Sequence, residues 1–268
     1  MFKLRAALPR STRYAIGGAS VGLMFVVWFI VTMGEDPFLS PATLPAPGAL
    51  LAAIPEMHYE KLMLANALVS LLRITLGFLL AAFVAIPLGI LMGAFTPIRA
   101  AIEPLVTPLR FLPIAAVVPI FIFWFGLDEE MKIALLFLGT FVYLLPLVVE
   151  TVDQVDDVYL KTAATMGASR WQVIRTIMVP ASLPSIYEEL RVLYGIGWTY
   201  VMLAEFVSVA DAGFGYGGIG YLINNLRRYG TLAEVLVAVV LILILGVTVD
   251  RLLALIGQIL FPWVKRDD

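Results

Sequence analysis

Residues 14–33 and 74–98 contain no Asp, Glu, Lys or Arg, and each run is at least as long as the roughly 20 residues an α-helix needs to cross about 30 Å of hydrocarbon. Such runs leave few folds open. In lipid every backbone amide and carbonyl must find its partner within the protein, so a spanning segment is either a helix or a strand of a closed barrel. Barrel strands read as short alternating segments, which these runs are not. Composition agrees: 61% of the residues are hydrophobic and 14% charged, too apolar for one soluble core of ordinary size. The expected fold class is all-α, a polytopic membrane protein with six transmembrane helices. Lys3, Arg5, Arg10 and Arg13 precede the first run like the charged start of a signal peptide. The length of the run and the lack of a small-residue cleavage site favour a retained anchor.

Apolar runs and the charges between them place helices near 14–33, 66–97, 104–126, 132–150, 183–209 and 233–262. Lys3, Arg5, Arg10 and Arg13 before the first span, Arg99 after the second, Arg170 and Arg175 after the fourth, and Lys265 and Arg266 at the end then share one side. The positive-inside rule makes that side cytoplasmic, with both termini on it. Glu35, Asp36, Glu56 and Glu60, then Asp128, Glu129 and Glu130, and finally a glycine-rich turn fall on the outer side, where Arg227 and Arg228 run against the trend. Gly77, Gly89 and Gly93 lie on one face of the second span, and Gly89 with Gly93 forms a GxxxG step that lets helices approach closely. In residues 44–48 the prolines Pro45 and Pro47 argue against a helix and for an extended external strap. A plain linker fits those residues equally well.

The longest cytoplasmic connection, about residues 151–182, has its own pattern. Asp153, Asp156 and Asp157 precede residues 160–166, which suits a short helix with acids at its positive end. Gly167 can end that helix in the left-handed conformation. Ser169 can cap a second helix from Arg170 and Trp171, which Pro180 and Pro184 break before the next span. An amphipathic hairpin lying in the membrane interface is the plainer alternative.

The spacing in this connection resembles the cytoplasmic signature of binding-protein-dependent ABC importer permeases, Glu-Ala-Ala followed after three residues by Gly and after nine more by Ile-x-Leu-Pro. Here Lys161-Thr162-Ala163 stand at the first positions, Gly167 at the glycine, Ile177 at the isoleucine and Val179-Pro180 at the end. Lys161 departs from the glutamate, Thr162 from an alanine and Val179 from the leucine. Asn66 through Arg73 to Gly77-Phe78, Pro104 through Arg110 to Pro113 with Pro119 and Trp124-Phe125-Gly126, Gly197-Trp198 with Ala204-Glu205, and Asp250-Arg251-Leu252 are similar to the nitrate, sulfonate, taurine and bicarbonate branch of that family. The similarity covers roughly residues 44–262.

The resemblance implies a type I ABC importer permease fold, a single permease domain over residues 1–268, and a place in the bacterial inner membrane. It implies two cytoplasmic ATP-binding subunits, a second permease copy in a homodimer, and an extracytoplasmic substrate-binding protein. ATP and Mg belong to the ATPases, and no cofactor to this chain. It places Lys161, Ala163, Ala164, Met166, Gly167, Ser169 and Trp171 at the ATPase contact. The solute implied is a small anion or organic solute: nitrate, bicarbonate, a sulfonate or a taurine-like compound.

Ionisable residues at membrane depth are functional candidates by default. Arg73, near the outer start of the second span, is accounted for by snorkelling to the headgroups. Arg110 precedes Pro113 and Pro119, which can interrupt the third span around a cavity. It can line an anion route, pair with Glu103, or meet a neighbouring subunit. For Glu205 a structural pair with Arg73 is favoured over an interface or pathway role, because a bare carboxylate repels an anion. Arg110, Pro113, Pro119, Trp198 and Glu205 are the candidates for a translocation path or gate. Asp250 and Arg251 read as interfacial, and residues 213–220 as an irregular outward turn.

Other function classes find little support. The chain has no cysteine and one histidine, His58, no HExxH and no carboxylate cluster at metal-ligand spacing, so no catalytic or metal site is expected. A net charge of −2 gives no basic field for nucleic acid. An ion-coupled secondary transporter is the nearest rival, although no inverted repeat with two interrupted helices is evident, and a membrane-embedded enzyme is a lesser one.

Overall fold

The computed structural model describes residues 9–34, 37–207 and 217–264, and among them the regular structure is helical throughout. In order the helices are α1 (Arg10–Thr32), α2 (Pro47–Tyr59), α3 (Met63–Ala94), α4 (Thr96–Val106), α5 (Ile114–Phe125), α6 (Glu129–Asp153), α7 (Asp157–Thr165), α8 (Arg170–Val173), α9 (Val179–Glu205), α10 (Ile219–Tyr229) and α11 (Leu232–Leu260). A 3-10 turn over Thr107–Phe111 continues α4, and a π-helical turn over Ile174–Met178 joins α8 to α9. Lys3, Arg5, Glu35, Asp36, Lys265, Arg266 and residues 213–216 of the 213–220 turn lie outside the described residues.

Helices α1, α3, α6 and α11 have the length and hydropathy to cross a membrane. The expected third span is broken: Thr96–Phe111 and Ile114–Phe125 meet at 105°, and make a fifth crossing only if counted as one. Leu112, just before Pro113, is extended, as a residue before proline prefers, and Pro113 then opens α5. Pro119 sits inside α5 without ending it. At 27 residues, or about 40 Å, α9 is long enough to span. Every 18-residue window of it carries Glu188, Glu189 and Arg191, too many charges for a uniformly apolar crossing. Of the six expected spans, four are helices long and apolar enough to cross, a fifth depends on counting the bent pair as one, and α9 is not among them.

Two further expectations are corrected. Residues 44–48 do not form a strap throughout, because α2 begins at Pro47; proline is tolerated at the first helical position, where its missing N–H has no intrahelical acceptor. Nor do Pro180 and Pro184 break the chain. Pro180 lies in the first turn of α9 and Pro184 inside it, and the widened turn at Ile174–Met178 absorbs the mismatch that a proline ring makes with the preceding turn.

Contacts group the chain into two units, residues 1–61 with 225–239, and residues 62–224 with 240–268. In the first, Trp28 Nε1 donates to the Pro45 carbonyl at 3.0 Å. Lys61 pairs with Glu56 at 3.0 Å and with the buried Glu234. Burial disfavours the Lys61 ammonium, but the bonds to Glu234 and Glu56 outweigh it and hold its pKa above the ordinary lysine value.

The second unit is centred on α3 and α6, which lie along one another. A Cβ added to Gly89 would stand 2.6 Å from Val148 Cγ1, and one on Gly93 2.6 Å from Val152 Cγ1; Gly77 meets Leu136 in the same way. Only glycine allows this approach, and the row is the small-residue face expected from the sequence. Ala85, Leu144, Leu145, Val148 and Ile186 form the core around it. At the far end Tyr187 donates to the Leu253 carbonyl at 2.8 Å and Arg191 bonds Asp250 at 2.9 Å, tying α9 to α11. Asp250, read from sequence as interfacial, is a partner of Arg191.

Candidate functional site

Three places hold the residues singled out by sequence. The first is the connection after α6. Asp156 caps α7 by accepting from the Val158 amide at 2.9 Å, which satisfies one of the unpaired amides of the first turn. At the other end Gly167 has φ +80°, its amide donates to Ala164 O and the Ala168 amide to Ala163 O, each at 3.0 Å. That pair of bonds is the Schellman closure, which needs a left-handed residue where Gly167 stands. Ser169 then opens α8 with a capping box: its side chain receives the Gln172 amide, and Gln172 receives the Ser169 amide at 2.8 Å.

This helix-turn-helix presents large side chains outward. Met166 is 82% exposed and Trp171 61%, with Val158 and Tyr159 beside them. Ala164, Gly167 and Ser169 are exposed, whereas Ala163 is buried. Lys161, at the usual glutamate position of the resembling family, pairs with Asp157 one turn earlier at 3.0 Å, both side chains well exposed. Its charge is met locally.

The second place is a cluster buried between α3, α6, α9 and the start of α10. Arg73, Lys132 and Glu205 are fully buried. Arg73 donates through Nε and Nη2 to both oxygens of Glu129, at 2.7 and 2.5 Å, and through Nη1 to Glu205 and to Gly217 O, each at 2.8 Å. Lys132 reaches Glu129 at 2.9 Å. Glu205 also accepts from Ser70 Oγ and the Gly220 amide at 2.8 Å, while Asn66 Oδ1 and Ser70 Oγ receive the amides of Gly218 and Ile219. Two cations face two carboxylates, so the buried charge is balanced. Gly218, at φ +94°, lies so close to the Glu205 carboxylate that a Cβ there would collide with it.

Snorkelling is therefore not the explanation of Arg73. Its guanidinium turns inward because Glu129 and Glu205 supply a bidentate and a single acceptor that desolvated headgroup contact would not match. Glu129, expected in an outer loop, lies in the first turn of α6. Glu129 and Lys132 were missed as a site by sequence reading, although their spacing of three on a helix is itself a pairing signal.

The third place is the bend before α5. A cleft of about 640 Å³ opens there, walled by Arg110, Pro113, Tyr143, Thr199, Tyr200 and Phe206 among others. The Tyr143 hydroxyl donates to Arg110 O at 3.2 Å and holds the 3-10 turn against α6. Glu103 does not pair with Arg110, because Arg99 takes it at 3.0 Å one turn away and also binds Asp153. Of the path candidates, Arg110 and Pro113 meet at this cleft. Pro119 is exposed on α5, Glu205 belongs to the buried cluster, and Trp198 is buried near Gly246 of α11 with its Nε1 lacking a hydrogen-bond partner among the described residues. Among the described residues no group of His, Asp or Glu is arranged to hold a metal.

Comparison with known proteins agrees with these features. A family model described as binding-protein-dependent transport system inner membrane component matches residues 85–262. The taurine transport system permease protein TauC of Escherichia coli (strain K12) is 29% identical over 97% of this chain and 93% of its own. A putative ABC transporter permease protein of Methanocaldococcus jannaschii is 32% identical over 91% of this chain and 90% of its own. The nitrate import permease protein NrtB of Synechococcus elongatus is 25% identical over 90% and 87%. In fold, an inward-facing MetNI methionine ABC transporter chain superposes with a TM-score of 0.63 at 17% identity, covering 79% of this chain and 99% of its own.

Proposed function

The chain belongs to the family of binding-protein-dependent transport system inner membrane components, which makes it a multi-pass membrane permease subunit of an ABC transporter, and we propose that it works in an ATP-driven importer of a small anion or organic solute such as nitrate, bicarbonate, a sulfonate or a taurine-like compound. The names of the taurine and nitrate relatives support that solute range. The observation that carries the mechanism is the exposed, doubly capped helix-turn-helix from Asp157 to Val173. Both of its ends are fixed by hydrogen bonds, while Met166 and Trp171 stand unsheltered, as anchors for a protein partner do.

In this reading residues 1–268 are one permease domain with both termini cytoplasmic. Two cytoplasmic ATPases, which hold ATP and Mg, grip the 151–182 connection of two identical permease copies. An extracytoplasmic binding protein delivers the solute to the outer side. Closure of the ATPases on ATP moves α7, and α9 carries the movement inward because the chain stays helical from Arg170 to Glu205. The buried cluster is structural: it pins the start of α10 to α3 and α9.

Reconstitution tests this. The complex of permease, ATPases and binding protein in proteoliposomes is expected to import solute only with ATP. Uptake driven by an ion gradient in the absence of the ATPases and ATP would replace this reading with that of a secondary transporter.

A further inference from the structure

Ile174, Met178, Ser182 and Ile186 are all buried, and they follow one another at intervals of four. A stripe of that period does not fit an α-helix. Three turns at 3.6 residues each take about 11 residues, whereas Ile174 and Ile186 are 12 apart, one residue in surplus. The π-helical turn Ile174–Met178 takes up that residue. The Ile174 amide still donates four back, to Arg170 O, but the Val179 amide donates five back, to Ile174 O.

Two hydroxyls and a proline hold the turn wide. Thr176 Oγ1 donates to Gln172 O and Ser182 Oγ to Met178 O, both at 2.7 Å. Pro180 has no amide to give, and in a plain α-helix its ring would meet the Thr176 carbonyl. The side-chain pattern opposes closure as well. In an uninterrupted helix the residue seven before Ser182 and eleven before Ile186 shares their face, and here that residue is Arg175. The wide turn instead puts Ile174 on that face, in one core with Val148 and Val152, and leaves Arg175 exposed. One residue is about 100° of helix rotation, so closing the turn would swing everything before it, Trp171 included, by that angle about the axis of α9.

We propose that the π-helical turn is a phase lock with Ile174 and Pro180 as positioning residues: it fixes the rotational angle between α9 and the helix-turn-helix that meets the ATPases, and uptake depends on that angle. The proposal rests on the permease reading above and adds to it the joint between the partner-facing surface and the long helix behind it.

The test compares two changes of the turn in the complex of permease, ATPases and binding protein in proteoliposomes. Deleting Thr176 removes the surplus residue, so Ile174 comes to stand seven before Ser182 and a plain α-helix keeps the angle. Exchanging the pattern, Ile174→Arg with Arg175→Ile and Pro180→Ala, keeps the length but puts the apolar residue at the α-helical position, so the turn closes with the angle changed. Spin labels at Arg170→Cys on α8 and Leu105→Cys on α4, both exposed, read the angle as a distance. A rotation of about 100° at a helix radius of about 5–6 Å moves the α8 label by on the order of 8 Å. The Thr176 deletion is expected to keep both the distance and ATP-driven uptake, and the pattern exchange to move the distance and abolish uptake with the ATPases still bound. Uptake that survives the moved distance, a distance unmoved by the exchange, or uptake lost on deleting Thr176 at an unchanged distance would each overturn the phase lock. If the exchanged chain does not assemble, the Thr176 deletion decides alone. Absence of ATP-driven uptake by the unaltered complex sinks the permease reading beneath it, and the distances then still show whether the turn sets the angle.

Discussion

Arg73 and Lys161 are both cations paired with carboxylates, and their surroundings make them different objects. Arg73 is enclosed, with Glu129, Glu205 and a backbone carbonyl occupying its donors. Lys161 stands on an exposed helix beside Asp157, where water screens the pair and holding two long side chains together costs entropy. Charge inside the fold therefore fixes structure, and charge on the α7 surface remains free for another protein. The same contrast separates two of the positive-φ glycines, Gly167 and Gly218. Gly218 is wedged against Glu205, while a Cβ on Gly167 would meet nothing within 4 Å. One is required by packing and the other by backbone geometry alone.

The largest expected effect follows from breaking the enclosed side. Arg73→Leu leaves Glu205 without its cation in a buried site and should cost about 3–5 kcal/mol, read as a fall in the unfolding midpoint in detergent. Arg73→Leu combined with Glu205→Leu should recover part of the loss, since Glu129 keeps Lys132 at 2.9 Å. A midpoint shift no larger than that of a surface variant would remove the distinction.

Gly167→Ala comes next. It places a Cβ at φ +80°, a strain of roughly 1–2 kcal/mol confined to the end of α7. Its expected signature is a small fall in midpoint together with a larger loss of bound ATPase in pull-down. A full complement of ATPase would show that the turn geometry is not what the partner reads. Smallest is Lys161→Ala, for which a stability change of ~0.3–0.5 kcal/mol is expected from an exposed pair one helical turn apart. A change above about 1 kcal/mol would mean that α7 is not the unsheltered surface described.

Much of this was legible in sequence. The apolar runs located the long helices, the glycine row in α3 marked a face of close helix approach without naming α6 as its partner, and Asp156, Gly167 and Ser169 marked ends of the short helices because capping is local chemistry. What escaped depends on distance along the chain. The Arg73–Glu205 pair, favoured from sequence for Glu205, is present, but Glu129 lies far from Arg73 in sequence, and only the α3–α6 register decides that the guanidinium turns inward to it rather than toward headgroups. Proline misled twice: at Pro47 the ring falls in the first helical turn, where the missing N–H has nothing to lose, and at Pro180 the π-helical turn before it accommodates the ring within a continuing helix. The cleft at the bend joins side chains from the 3-10 turn, α6 and α9, so Arg110 was readable as a candidate while Thr199 and Tyr200 were not.

Because the chain contains no cysteine, one introduced thiol reports on one position. The most direct test places it at Met166→Cys, on the 82% exposed side chain beside the α7 cap, and measures the rate of maleimide labelling with and without the ATPase subunits. Strong protection on ATPase binding, with rapid labelling of the permease alone, is the result expected if the helix-turn-helix is the partner-facing surface. An unchanged labelling rate in a complex that still contains both ATPases would contradict it.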